Sequence, residues 1–257
     1  MKHHLYFDYG YESNDQRKIE LIKKNHFDGV FLYWREQLDQ VVEDIRKAGL
    51  TIETMHLPFD DCNDLWLEEM TSPYLEVIYR GIEDAHRLNI PTVIFHISST
   101  ANPPAVSEVG LARFKAILSK CEEYQINLAL ENLRRLDYLD FIFDRCSSPF
   151  LKFCFDSGHA NAFTNNIDAF PWEKYQKHLI CLHLHDNNGL RDQHLPPFKG
   201  NINWELLMKN LHNCHYQGPL TVEGVFRPYL NLNEEDYLEQ LKKSLVQLES
   251  LWPDEKS

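Results

Sequence analysis

The residues best suited to chemistry are carboxylates and imidazoles that interrupt or end apolar runs. Glu131 closes NLALE, Glu223 sits inside LTVEGV and Asp156 ends LKFCFD, while His56, His96 and His183 fall in TIETMHL, TVIFHIS and ICLHLHD. An ionised carboxylate in an apolar strand is costly unless a cation faces it. Lys and Arg are absent from the ends of these runs, so a divalent metal ion is the expected compensator. Glu131, Asp156, His183 and Glu223 would offer oxygen and nitrogen donors of borderline hardness. Such donors suit manganese, zinc, magnesium or cobalt better than a soft copper site. In FCFDSGHANAF, His159 follows Asp156 by three residues, and a tight Ser157-Gly158 turn is expected to lift it toward a substrate or a second metal. Asp192 and His194 form a D-x-H pair in the polar loop HDNNGLRDQHLPPFKGNINW, which is expected at the rim of the same site. A lone histidine in a strand is ordinarily a hydrogen-bonded rim residue, so the weight rests on the whole set.

Elements that could gather these residues are legible as an alternation. Strand candidates are 5–9, 29–33, 51–57, 92–98, 127–132, 151–156, 180–186 and 220–225. Between them, apolar residues at three- and four-residue spacing mark helices near 13–25, 35–48, 73–88, 107–124, 138–146, 168–177, 203–214 and 234–251. Ser72 before Pro73, Ser107 before Glu108, and Asn203 read as helix caps. Eight such repeats predict an α/β protein, a single-domain (β/α)8 TIM barrel over 1–257, and no G-x-G-x-x-G follows a strand as a dinucleotide fold would require. In this barrel the C-terminal strand ends share one mouth, so residues far apart in sequence converge there. Phe59, Trp66 and Phe163 are expected near that mouth, with packing as their default role. The last helix closes the barrel, and the tail after Trp252 is expected to fray.

Composition narrows the partners. The chain has 26 Lys and Arg against 39 Asp and Glu, a net charge of −13, which disfavours nucleic acid and acidic membranes and fits small polar substrates. Its six cysteines lack a CxxC pair and read as reduced core thiols. No apolar segment of signal-peptide or membrane-span type occurs, so a cytoplasmic protein without a membrane partner is expected.

The ordered set TMHLPF, VIFHIS, LALEN, FDSGH, HLHDN, the DQHLPP loop and TVEG resembles the xylose isomerase-like TIM barrels over nearly the whole chain. That family groups sugar and sugar-phosphate isomerases, ketose 3-epimerases and AP endonucleases of the endonuclease IV type. The resemblance to the epimerases implies one metal held by Glu131, Asp156, His183 and Glu223. His183 takes the ligand place over His185 because the pattern is H-x-x-D, matched by His183 and Asp186. His159 is similar to a histidine that contacts substrate. The resemblance to the endonucleases implies three zinc ions with His56, His96, His159, Asp192 and His194 as additional ligands. One departure is FKG where GEG is usual, so Phe198 and Lys199 replace a Gly and a Glu and are expected to change the loop.

Two chemistries follow from the resemblance. The first is a metal-dependent isomerase or epimerase of a sugar or sugar phosphate, in which Glu131 and Glu223 remove and return a proton on carbon through an enediolate and His159 orients a hydroxyl. His56, His96, Arg191 and Lys199 would bind substrate, with Arg134 a further candidate for a phosphate, and a homo-oligomer is compatible with the fold. The alternative is a multinuclear zinc phosphodiesterase acting on abasic DNA, which ranks second because it needs a basic, duplex-sized surface.

Overall fold

The eight apolar runs fold into one parallel sheet. The computed structural model describes residues 1–164, 167–227 and 230–253; most of the tail expected to fray, 254–257, lies outside them. The strands are β1 (His3–Tyr6), β2 (Gly29–Tyr33), β3 (Thr51–His56), β4 (Thr92–Phe95), β5 (Asn127–Glu131), β6 (Leu151–Asp156), β7 (Leu179–His183) and β8 (Leu220–Val222). They run β7-β6-β5-β4-β3-β2-β1-β8. A parallel bridge between Leu184 and Val222 closes the remaining seam, where Leu184 N donates to Thr221 O at 2.9 Å and Glu223 N to Leu184 O at 3.0 Å. The fold is the expected (β/α)8 TIM barrel, whose closure leaves no long sheet edge exposed.

Outside the sheet lie α1 (Asp15–Lys24), α2 (Asp39–Lys47), α3 (Tyr74–Arg87), α4 (Glu108–Tyr124), α5 (Leu136–Phe143), α6 (Ser157–Phe163), α7 (Trp172–Tyr175), α8 (Trp204–Asn213) and α9 (Glu234–Ser250). Asn14, Ser107, Asn203 and Asn233 cap α1, α4, α8 and α9 by accepting a backbone N–H of the first turn. Ser72 does not cap α3: its hydroxyl donates to Asp64 Oδ2 at 2.9 Å, and Pro73 stands at the cap position. The helix expected at 168–177 is broken into α7 between two 3-10 turns, with Pro171 fixing the start of α7. Among the described residues no helix is long and apolar enough to cross a membrane.

Alternation along the strands fixes what lies inside the barrel. Ile94, Ala129, Cys154 and Cys181 form a small apolar cluster of their own. Each sits two residues before His96, Glu131, Asp156 and His183 respectively, so these polar groups stand directly above an apolar floor. Cys154 pairs in register with Cys181, and all six cysteines are free thiols. The other strand face packs on the helices in the main core.

On β1, His4 is buried with Nε2 3.1 Å from Thr51 Oγ1. Burial pushes its imidazole down to about 4 from its ordinary value of 6.5. The unfolded chain therefore takes up this proton first as pH falls. Stability present above about pH 6.5 is lost on the way to pH 4, by up to about 3 kcal/mol. Urea unfolding at pH 7 and 4.5 should show a smaller acid loss in His4→Gln than in the wild type; equal losses would remove His4 from the account.

Candidate metal centre

Glu131, at the end of β5, is the point where the polar groups meet. Its Oε2 lies 3.2 Å from His56 Nε2 and 2.9 Å from His96 Nε2. Its Oε1 lies 3.2 Å from His183 Nδ1 and 3.4 Å from His159 Nδ1. The same His183 nitrogen is 3.3 Å from Glu223 Oε2 and 4.0 Å from Asp156 Oδ2. Asp156 Oδ2 is 3.0 Å from His185 Nε2, and Asp192 Oδ2 is 3.1 Å from His194 Nε2 and 3.4 Å from His159 Nε2. Three sets of donor atoms lie within 4.8 Å of one another: His56, His96 and Glu131; Glu131, Asp156, His183 and Glu223; and His185, His194 and Glu223.

Main-chain carbonyls aim the imidazoles. Nδ1–H donates to Leu57 O from His56 at 2.7 Å, to Asn132 O from His159 at 3.0 Å, and to Glu223 O from His194 at 3.1 Å. Each bond commits one ring nitrogen and leaves Nε2 pointing at a carboxylate. Asp156 ends β6 and also caps α6, its Oδ1 accepting from His159 N at 2.6 Å. A helix thus stands where a tight Ser157-Gly158 turn is expected, and its first turn carries His159. Asn132 brackets Asp156, donating to its carbonyl and accepting from its N–H, both at 2.8 Å. Gly158 is needed for a close approach, because a Cβ there would overlap the His185 ring.

Burial sets the electrostatics. Glu131, Asp156, His183 and Glu223 are each at most 3% exposed, and the ion pairs of Glu131, Asp156, Asp192 and Glu223 among the described residues are all with histidines. Burial opposes the charge on Glu131, but His183, His96 and hydrogen bonding by His159 outweigh it and hold the carboxyl well below the usual range. Burial, joined by the charges of Glu131 and Asp156, pushes Glu223 well above it. Burial also drives His56 down to about 4. With its proton on Nδ1, neutral His56 presents the lone pair of Nε2 to the Glu131 carboxylate. Two facing donors of this kind fit a cation between them, and the oxygen and nitrogen set fits a divalent one. His159 is held well above its usual value because Asp156, Asp192 and Glu131 outweigh its burial. A metal ion and such a proton neutralise the same carboxylates and so compete.

All the expected ligands, His56, His96, Glu131, Asp156, His159, His183, Asp192, His194 and Glu223, are brought into this one cluster. Arg191 and Lys199 are not: both are exposed, and neither lines the cavity that opens beside His96, His159 and Asp192. Phe59 and Phe163 do line it, whereas Trp66 is buried with Nε1 donating to Ile97 O at 2.7 Å. His185 joins the cluster although the H-x-x-D pattern singled out His183; its ring stacks on His194 at 4.0 Å. Period-two alternation, which puts 183 and 185 on one strand face, is the signal that finds it. Asn132 and Tyr33, whose ring stacks on His56 at 4.4 Å, carry no such signal. At the FKG departure, Phe198 adopts a left-handed φ of +69° where the related motif has glycine, and its ring packs near Trp204 at 5.8 Å.

The model of the xylose isomerase-like TIM barrel matches residues 15–247. The chain belongs to the xylose isomerase-like TIM-barrel family. A similar sequence is the uncharacterized protein y4fM of Sinorhizobium fredii, 27% identical over 69% of this chain and 60% of that protein; the match thus spans under two thirds of that relative. Among solved structures, a D-tagatose 3-epimerase-like protein is 25% identical with a TM-score of 0.76, covering 97% of this chain and 99% of its own. The IOLI protein, solved with a bound zinc atom, has a TM-score of 0.80 at 16% identity, covering 99% of this chain and 100% of its own. This xylose isomerase-like barrel therefore shares its fold with sugar epimerases.

The loop carrying Asp192 and His194 hangs on Asp186, which is fully buried. Its Oδ2 accepts from Trp204 Nε1 at 3.0 Å, and its Oδ1 from Asn187 N at 2.9 Å and Ile202 N at 3.2 Å. Asp186→Ala strands these donors, at about 1–3 kcal/mol each. Chemical denaturation should show a loss of about 3 kcal/mol or more; an unchanged midpoint would mean the loop is held by other contacts.

Proposed function

We propose that the protein is a metal-dependent sugar isomerase or epimerase that moves a proton on carbon. The observation that carries this reading is the placement of Glu131 and Glu223 at 3.2 and 3.3 Å from one nitrogen of His183, with Asp156 completing the donor set. The likeness to the D-tagatose 3-epimerase-like protein supports it. A divalent cation held by Glu131, Asp156, His183 and Glu223 would polarise a carbonyl and the adjacent hydroxyl oxygen of a sugar. Glu131 and Glu223 remove and return the proton. Without a metal, burial and the charges of Glu131 and Asp156 hold Glu223 toward the protonated form, so binding of the cation would displace that proton and leave both carboxylates ionised. His159, fixed by Asn132 O and facing the cavity, orients a hydroxyl. The buried walls keep bulk water from the reacting carbon.

A second reading is favoured by one observation: His56 and His96 form with Glu131 a further donor set, which shares only that carboxylate with the set of His183. More than one ion per chain would suit a multinuclear zinc phosphodiesterase of the abasic-DNA type. Metal content by elemental mass spectrometry on protein prepared without chelators separates the two. About one ion per chain, retained in His96→Ala and Asp192→Ala, goes with the sugar reading; two or three zinc ions, reduced in both variants, go with phosphodiester hydrolysis.

For the sugar reading, solvent deuterium should enter ketoses at the carbon that is isomerised or epimerised, as followed by NMR. Glu131→Gln and Glu223→Gln should each lower the rate by about 10²–10⁴-fold, and chelation should abolish exchange. Turnover that survives both substitutions would remove the two carboxylates from the reaction.

A further inference from the structure

A cavity of about 140 Å³ opens from the cluster; His96, His159 and Asp192 line it together with Ser98, Thr100 and Arg134. Arg134 is exposed, and its guanidinium lies 3.8 Å from the centroid of the Phe163 ring, which in turn stacks on His159 at 5.3 Å. Contact through the ring face engages none of the guanidinium N–H donors, which are left for a planar or tetrahedral oxyanion. No carboxylate among the described residues pairs with it. Its charge is thus not met by a side-chain carboxylate, whereas Arg35, Arg80, Arg87 and the adjacent Arg135 are paired with Asp or Glu.

The segment after β4 supplies the remaining donors. Ser98 is 2% exposed and borders the cavity. Asn63 pins the next residue from both sides, accepting from Ser99 N at 2.9 Å and donating to Ser99 O at 3.1 Å. Thr100 adopts φ +67°, a left-handed conformation costly for a β-branched residue and of the kind retained at ligand sites. The acidic member of the lining, Asp192, has its Oδ2 engaged by His159 and His194, while its buried Oδ1 has no hydrogen-bond partner among the described residues and lies 3.7 Å from His185 Nδ1.

We propose that this cavity is a phosphate subsite, in which Arg134 and the hydroxyls of Ser98 and Thr100 hold the phosphate monoester of a sugar phosphate while the sugar carbons reach the Glu131–Glu223 pair. The substrate class rests on the isomerase reading above; the subsite itself does not. Three donor groups on the lining of one cavity match the several acceptor oxygens of a phosphate.

The test has two arms. Inorganic phosphate is titrated calorimetrically into metal-loaded wild type, Arg134→Ala and Arg134→Lys, each with its metal content measured. Affinity should fall at least tenfold in Arg134→Ala and less in Arg134→Lys. Equal affinity in wild type and Arg134→Ala, as binding at the metal alone would give, or no binding at all, overturns the subsite. In the second arm, solvent deuterium exchange is compared for a ketose phosphate and the matching free ketose. The ratio of their kcat/KM values should fall at least tenfold in Arg134→Ala; an unchanged ratio overturns the substrate class. If neither sugar exchanges while phosphate binding still depends on Arg134, the isomerase reading fails and the phosphate subsite stands.

Discussion

Four carboxylates, Glu131, Asp156, Asp192 and Glu223, are gathered at one end of the barrel, and the basic groups facing them are imidazoles. Such a group of acids is stable inside a protein only if protons or metal ions neutralise it. The surrounding structure is arranged around that requirement. His56, His159 and His194 have one ring nitrogen tied to a main-chain carbonyl, so their remaining nitrogens cannot turn away from the acids. Asn132 and Asp186 play no part in this charge balance, yet they hold the backbone on which it rests.

The barrel meets the requirement economically. Strand alternation raises His96, Glu131, Asp156 and His183 above a floor of Ile94, Ala129, Cys154 and Cys181. Water is excluded from below, and the acids open only toward the mouth. Asp156 serves two elements at once, ending β6 and capping α6. One carboxylate oxygen is spent on the helix and the other faces His185. Any change that unwinds the first turn of α6 therefore also frees a cluster carboxylate and moves His159.

Much of this was legible in the sequence because it follows from short-range patterns. Periodicity gives the eight strands and the barrel, and polar residues ending apolar runs give the cluster, since closure of the sheet is the one further fact needed to unite them. What was not legible depends on contacts between distant segments. Asn132 reads as an ordinary strand-end amide until Asp156 is placed beside it. Ser72 reads as a cap until Asp64 is seen to take its hydroxyl. The helix at Ser157–Phe163 was hidden because SGHANAF is short and begins with a residue pair typical of turns. Arg191 and Lys199 show the converse: a basic residue in a loop next to the site has the right charge, but its direction is set by the loop, and both point to solvent.

Arg134 differs from those two because its direction is fixed by a ring rather than by a carboxylate. A guanidinium paired with Asp or Glu is already neutralised and has little to offer a ligand. Stacking on Phe163 costs none of the in-plane donors and links Arg134 through one phenyl ring to His159. Because His159 also touches Glu131 and Asp192, three stacked groups connect the outer wall of the cavity to the centre of the acid cluster. An anion drawn to Arg134 would be positioned relative to the reacting end of the site by this stack. The excess of acidic groups on the rest of the chain then acts as a filter, since it repels polyanions that so small a pocket could not hold.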